Sequence, residues 1–411
     1  MDFFSIRRVS EAQRIFLEAC PRGPLGVEEV DLEEAHGRVL AEDAVSPGPL
    51  PGFDRSSVDG YAVRAEDTFG ASEGLPAYLR VVDRIPMGKA PERPLGPGEC
   101  AQIATGGMLP PGADAVVMVE HTEELGPDEI GVLRPVSPGE NVIRRDEDCP
   151  AGGTVVPRGR VLRAQELALL AHAGITRVQV ARRPRVAILS TGDELVPPGE
   201  TPGPGQIRES NSYAVRALVR ELGGEPFYLG IAPDQEAAIR ERLEEGLRRG
   251  DVVVVSGGSS VGARDLVAGL IQNLGKPGVL VHGVRLKPGK PTILALVDGK
   301  PVVGLPGHPV SAQVVFGLFV EPLLRQLLGL PPFPAFAAGV RARMAKNVAS
   351  ATGRVDVIRV ALVERDGEYW AEPILGKSGL ISTLTRAHGV VVVPEEKEGI
   401  LAGEVVEVRL A

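Results

Sequence analysis

Hydrophobic and polar positions divide the chain into stretches of different period. Near the N-terminus apolar residues recur at helical spacing. Ser10, followed three residues later by Gln13, predicts a capping box for a helix ending near Ala19, before Pro21 and Gly23. From Pro47 to Gly152 short apolar stretches, Tyr78–Val82, Ala115–Val119 and Gly131–Val136, alternate with Pro/Gly turns. They predict a small, mostly-β unit. A helix resumes over Ala164–Ala171 and stops at Gly174. The residues before Pro47 and after Gly152 can therefore form one lobe with the β unit inserted between them.

From Arg185 to Leu330 strands and helices alternate. Val186–Leu189, Phe227–Leu229, Asp251–Val255, Thr292–Val297 and Val302–Leu305 read as strands. Between and after them, helices are expected over about Ser212–Leu222, Gln235–Arg249, Asp265–Leu274 and Val310–Leu328. The near-continuous apolar strands imply a sheet covered on both faces, so an open, mostly parallel α/β sheet is predicted. Pro331, Pro332 and Pro334 form a stiff joint. Beyond it Ala338–Met344, Val355–Val363, Tyr369–Glu372, Gly389–Val393 and Glu404–Arg409 predict a small β-barrel.

Composition narrows this picture. The chain holds 51 glycines and 36 prolines, about a fifth of its residues where roughly 12 % is usual. No collagen period accompanies them, and 43 % hydrophobic residues exclude a disordered chain. A formal net charge of -9 argues against non-specific nucleic-acid binding. Cys20, Cys100 and Cys149 make neither a zinc pattern nor a disulfide framework. No signal segment is evident, and the apolar runs fall short of the roughly 18 residues of a membrane span. A cytoplasmic protein without membrane contact is expected.

In an open parallel sheet, ligands bind beyond the carboxyl ends of the strands. Four segments there are unusual. Ser190 to Glu194 ends in adjacent carboxylates, Asp193 and Glu194, which can hold Mg²⁺; alternatively Asp193 caps a turn and Glu194 is solvated. Ser256-Gly257-Gly258-Ser259-Ser260-Val261-Gly262, leading to Asp265, offers converging backbone N–H groups to an anion, its rival being a plain tight turn. Asp265 caps the following helix or holds metal. Lys287-Pro288-Gly289-Lys290-Pro291 concentrates two of only eight lysines in one turn, as phosphate binding would require. Gly304 to Ala312 places Pro306, Gly307, His308 and Pro309 before an apolar helix. Carboxylates beside phosphate donors imply a divalent cation between them, hence a pyrophosphate-containing ligand with Mg²⁺. No nucleophile with a partnering base is evident.

The β unit adds polar, turn-rich runs at Asp54 to Ala62, at Thr105-Gly106-Gly107 and from Asn141 to Asp148, which includes Arg144 and Arg145. Each reads either as a salt-bridged surface loop or as part of a cleft.

Seven of these segments, Ser57 to Ala62, Ala104 to Gly107, Asn141 to Asp148, Leu189 to Glu194, Ser256 to Gly262, Lys287 to Pro291 and Gly304 to Ala312, together resemble the MoeA family. Its members are the molybdopterin molybdenumtransferases, and the C-terminal part of animal gephyrin is a relative. The likeness runs over essentially the whole chain. It implies a multidomain α/β and β subunit of four parts. These are an elongated N-terminal lobe (1–46 with 150–183), an inserted mostly-β domain (47–149), an α/β molybdopterin-binding domain (184–330) and a C-terminal β-barrel (335–411). It also implies a homodimer whose cleft uses both subunits, and a molybdopterin adenylyltransferase acting upstream. The implied reaction is Mg²⁺-dependent transfer of molybdate to adenylylated molybdopterin with release of AMP.

Carried across by position, Asp59, Thr105, Asp148 and Lys287 become expected catalytic residues, joined by Lys290 of the same turn, and Glu194, Asp234 and Asp265 the metal-holding ones, joined by the adjacent Asp193. Ser256, Gly257, Gly258, Ser260, Gly262, Pro306, Gly307, Pro309, Ser378, Ser382, Arg144 and Arg145 are expected to contact ligand. The chain departs from the family at Gly283, where some members carry a lysine, and at His308, where many carry asparagine. Two rivals stand beside this reading: an adenylyltransferase built on a related α/β domain, and a non-enzymatic scaffold.

Overall fold

A computed structural model describes residues 6–257, 261–334 and 339–410, of which 261–265 by backbone alone. The chain divides into two units, one of Met1–Glu28, Gly37–Ala41 and Gln179–Ala411, the other of Glu29–His36 and Glu42–Val178.

The second unit is built on a six-stranded sheet ordered Ala115–Met118, Gly60–Val63, Glu99–Ile103, Ala77–Ile85, Glu129–Val132 and Thr122–Gly126. Both of its faces are buried, which accounts for the unbroken apolar run at Gly60–Val63. Tyr61 and Val63 join Leu79, Val117 and Ile130 on one side, while Ala62 joins Ile85, Ile103 and Val116 on the other. Gly60 is required by close approach, because a Cβ there would stand 1.9 Å from the Val117 carbonyl oxygen. The strand expected over Gly131–Val136 ends at Val132; Leu133 instead donates its N–H to His121 O. The helix of this unit, Ala164–His172, lies where the apolar spacing put it.

In the first unit, six strands take the order Glu225–Ala232, Arg185–Thr191, Val252–Gly257, Lys300–Leu305, Ile293–Val297 and Pro277–His282. The first four are parallel; the last two run antiparallel to their neighbours. Alternate residues serve alternate faces. Val186, Ile188, Val252, Val254 and Val303 pack with Phe16, Val215 and Phe316 of three helices. Ala187, Leu189, Val253, Val255 and Val302 pack with Ile239, Leu243 and Ile271 of two others. Each fully buried Val, Leu, Ile or Phe side chain here stabilises by about 1.5–3 kcal/mol. A one-residue slip would exchange every one of them between faces.

The first helix begins one residue before the expected cap, at Val9, with Arg8 as its N-cap. Ser10 is inside it, and Gln13 does not close a capping box. Its Nε2 donates instead to Leu318 O at 2.9 Å, a tertiary partner that outweighs the local motif. Pro309–Leu327 forms one long helical run with a π-turn at Phe316–Val320. By length and composition this 19-residue run could cross a membrane, contrary to the reading of the sequence, but 67 % of its most apolar 18-residue window is buried within the protein. It is the central helix of a core.

The C-terminal strands Val355–Arg365, Glu368–Pro373, Gly339–Met344, Val405–Leu410 and Gly389–Val393 pair in that order, and the last returns to the first. The barrel is therefore closed, around Met344, Val360, Ala371, Val391 and Val408. A sixth, two-residue strand joins it from outside. Leu286–Lys287, from the α/β part of the chain, pairs in parallel with Val355–Asp356.

Candidate active site

The four parallel strands deliver their loops to one rim. Thr191 and Gly257 are paired neighbours at two adjacent strand exits. A Cβ on Gly257, where φ is +150°, would stand 2.2 Å from the Thr191 carbonyl oxygen. That position requires glycine for backbone approach, whatever a ligand does there. Gly258, Ser259 and Ser260 lie outside the described residues. Gly262 and Asp265 fall in the helix Val261–Leu274, described by backbone alone.

Three carboxylates gather at the first exit. Asp234 donates its backbone N–H to Asp193 Oδ1 at 3.0 Å. The Asp234 carboxyl is raised above its usual range, first by burial and then by the charges of Asp193 and Glu194. Its Oδ1 is buried without a hydrogen-bond partner. Among the described residues, no group of three or more His, Cys, Asp or Glu side chains is arranged as a metal cage.

Asn211, at the start of the helix Asn211–Glu221, was not singled out from sequence. Its Nδ2 donates to Ser256 Oγ and to Gly307 O, both at 2.8 Å, and so ties two of the rim loops together. Nothing local could have revealed this, because both partners lie far along the chain.

The lysine turn faces a cavity of about 1080 Å³, which the C-terminal barrel closes on its other side. Lys287, Lys290, His308, Arg359, Lys377 and Ser378 line it, and Asp356 is the one carboxylate among its walls within the described residues. Pro306 and Gly307 line it as well, whereas Pro309 occupies the first turn of the following helix. The barrel reaches the rim through Ser378, whose carbonyl accepts from Val310 N–H at 3.2 Å. Its Oγ is 2.9 Å from His308 Nδ1. Ser382 is exposed, starts the short helix Ser382–Thr385, and is not among the lining residues.

Arg359 was also missed from sequence. It is 7 % exposed, its Nη2 reaches Gly376 O at 3.2 Å, and its Nε has no partner. Burial lowers its pKa. The available signal was a charge inside the apolar run Val355–Val363, but a barrel strand can turn such a residue to solvent, so pattern alone did not decide.

The remaining expected residues belong to the other unit. Thr105 donates to Asp59 Oδ1 through its N–H at 2.7 Å and its hydroxyl at 2.9 Å. These bonds hold the Asp59 carboxyl below its usual range. Arg144 Nη1 reaches Asp54 Oδ2 at 2.9 Å, and Arg145 N–H reaches Asp54 Oδ1 at 2.7 Å. Asp148 is exposed, and its backbone N–H donates to Leu50 O.

An α/β sheet with converging polar loops at its strand ends, a cation-lined cavity and a barrel behind it defines a protein built to receive an anionic ligand at that rim. Residues 7–174 match the MoeA N-terminal region (domain I and II), 187–326 a probable molybdopterin binding domain, and 341–411 the MoeA C-terminal region (domain IV). The chain belongs to the MoeA family, the molybdopterin molybdenumtransferases. It is 38 % identical to the molybdopterin molybdenumtransferase of Nostoc sp., over 91 % of this chain and 86 % of that one. Identity to molybdopterin molybdenumtransferase 2 of Mycobacterium tuberculosis is 36 %, over 98 % and 99 % of the two chains. A crystal structure of the molybdopterin biosynthesis MoeA protein from Pyrococcus horikoshii superposes with a TM-score of 0.81 at 41 % identity, covering 99 % of each chain.

Proposed function

We propose that the chain acts as a molybdopterin molybdenumtransferase in molybdenum cofactor biosynthesis, transferring molybdate to adenylylated molybdopterin and releasing AMP. The observation that carries this is the cation-lined cavity at the strand exits, with a carboxylate cluster on the same rim. The charged side chains that line the cavity are mostly positive, as substrates bearing phosphate and an oxyanion demand.

Magnesium fits the carboxylate cluster. Asp193, Glu194 and Asp234 offer hard oxygen donors, their like charges repel one another, and Asp234 Oδ1 is buried with no partner. Magnesium needs only one or two carboxylates beside substrate phosphates, so a complete protein cage is not required. Those three residues would hold it, with Asp265 assigned to the same group by family position. When bound, the cation would supply neutralising charge to the pyrophosphate.

The chain's own groups do the rest. Lys287 and Lys290 hold charge on the phosphate that leaves as AMP. Arg359, Ser378 and the Pro306-Gly307 turn receive the anionic end of a substrate at the barrel wall. Ser256, Gly257, Gly262 and Pro309 complete the ligand contacts; Gly258 and Ser260, outside the described residues, and Ser382 are assigned to the same ligand from sequence. Asp59, Thr105, Asp148, Arg144 and Arg145 orient molybdate or the pterin end. In the same reading the protein is a cytoplasmic homodimer of four-part subunits, in which these five residues come from the other subunit. A molybdopterin adenylyltransferase supplies the substrate.

Incubation with adenylylated molybdopterin and molybdate tests this. AMP release that needs molybdate and falls in Asp59→Asn and Lys287→Ala is the expected result. An unmodified rate in both variants would remove the catalytic reading. Formation of the adenylylated species by this chain from molybdopterin and Mg-ATP would assign it to the preceding step instead.

A further inference from the structure

We propose that Asp356, a buried barrel residue, is a positioning residue for Lys287, so that the C-terminal barrel sets the placement of a lysine belonging to the α/β rim. The proposal rests on the reading of Lys287 as a phosphate-contacting group.

Lys287 and Asp356 stand opposite each other where the strand Leu286–Lys287 pairs in parallel with the barrel strand. The pairing is extended by Val355 N–H donating to Arg285 O at 2.9 Å. The backbone of the lysine turn is thereby fixed to the barrel as well as to the sheet hairpin it closes, where Val284 N–H donates to Lys290 O at 2.9 Å. The side chains repeat the connection. Asp356 is 1 % exposed, and its Oδ2 lies 3.7 Å from Lys287 Nζ, whose side chain is 59 % exposed and borders the cavity.

Arg354 decides what this contact does. Its Nε and Nη2 reach the two oxygens of Asp356 at 2.8 and 3.3 Å. A buried carboxylate needs a partner, and Arg354 already is one. Asp356 therefore does not depend on Lys287 for its own neutralisation. The three groups carry one net positive charge, which leaves the ammonium available to an anion in the cavity. A lone lysine on a flexible four-carbon stem would sample many rotamers. Here the stem is held at its base by strand pairing, and its head lies at ion-pair distance, 3.7 Å, from a carboxylate that is itself fixed by Arg354. Such fixing acts on reaction geometry, where small misplacements of a charged group cost rate.

A double-mutant cycle on AMP release separates positioning from structure. Asp356→Asn should lower kcat about 10- to 100-fold. It should not raise KM for adenylylated molybdopterin, because it removes a negative charge beside the anion site. In a Lys287→Ala background the same substitution should change kcat by less than about twofold. If Asp356→Asn does not fold, Asp356→Glu serves the cycle; it keeps both ion pairs but displaces the ammonium, with the same expected pattern. Equal losses in the two backgrounds, or a raised KM with a lowered melting temperature, would overturn the proposal and leave Lys287 its role. A wild-type kcat for Asp356→Asn would overturn it as well. An unmodified rate for Lys287→Ala alone would overturn both this inference and the reading beneath it, which distinguishes the two failures.

Discussion

Glu166 accepts from Arg163 through the backbone N–H at 3.0 Å and the guanidinium at 2.7 Å, and from Arg160 at 3.1 Å. The Arg163 side chain, foremost among these, draws its pKa down to about 2 from 4.5. A carboxylate whose folded pKa lies below its unfolded value contributes stability that is complete above the unfolded pKa. That contribution disappears as pH falls through the folded one. Glu166→Gln should therefore destabilise the protein at pH 7, and the difference from wild type should shrink between pH 4.5 and pH 2. Denaturant titrations of the two proteins at several pH values would check it. Asn211 makes a different kind of prediction. Asn211→Ala removes both donors that join Ser256 to Gly307. AMP release should fall about tenfold or more, as for other losses of preorganisation, with a smaller effect on melting temperature. The residue scale is where sequence reading was weakest. Asp59, Thr105 and Asp193 came from motifs and Asp234 from family position; Asp59 meets Thr105, and Asp193 meets Asp234, in space. Asn211 carries no local signature, and Asp356 and Arg359 show only as charges inside an apolar run, because their partners or their cavity come from other parts of the chain.

At the scale of elements the apolar patterning was informative wherever both faces of a strand are buried. Val252–Val255 could face solvent on neither side, and its unbroken apolar run said so. Glu99–Ile103 escaped notice because Glu99 and Gln102 interrupt its pattern. Glu99 is nonetheless buried and paired with Arg80 and Arg93. Leu286–Lys287 escaped for another reason. The lysine turn reads as rigid from its prolines, but its pairing with the barrel depends on a strand that follows much later. Two elements lend themselves to test. Gly257→Ala would drive a Cβ against the Thr191 carbonyl, separating two strand exits; loss of both folding stability and AMP release is expected. Phe316, at the π-turn, is 2 % exposed and belongs to the core beneath the rim. Phe316→Ala should cost about 3–5 kcal/mol in chemical denaturation, as for other large core truncations.

For the molecule as a whole, the α/β sheet, the β-rich unit and the closed barrel were all legible as classes of structure. What the order of elements could not reveal is that the barrel wall completes the cavity in front of the lysine turn. Positive groups from the rim and from the barrel converge there on a space able to hold an anionic substrate. Release of AMP from adenylylated molybdopterin, measured with and without molybdate over a series of Mg²⁺ concentrations, tests that account most directly. The account predicts release that requires both molybdate and Mg²⁺ and collapses in Lys287→Ala. Release at the same rate without molybdate, or at an unmodified rate in Lys287→Ala, would contradict it.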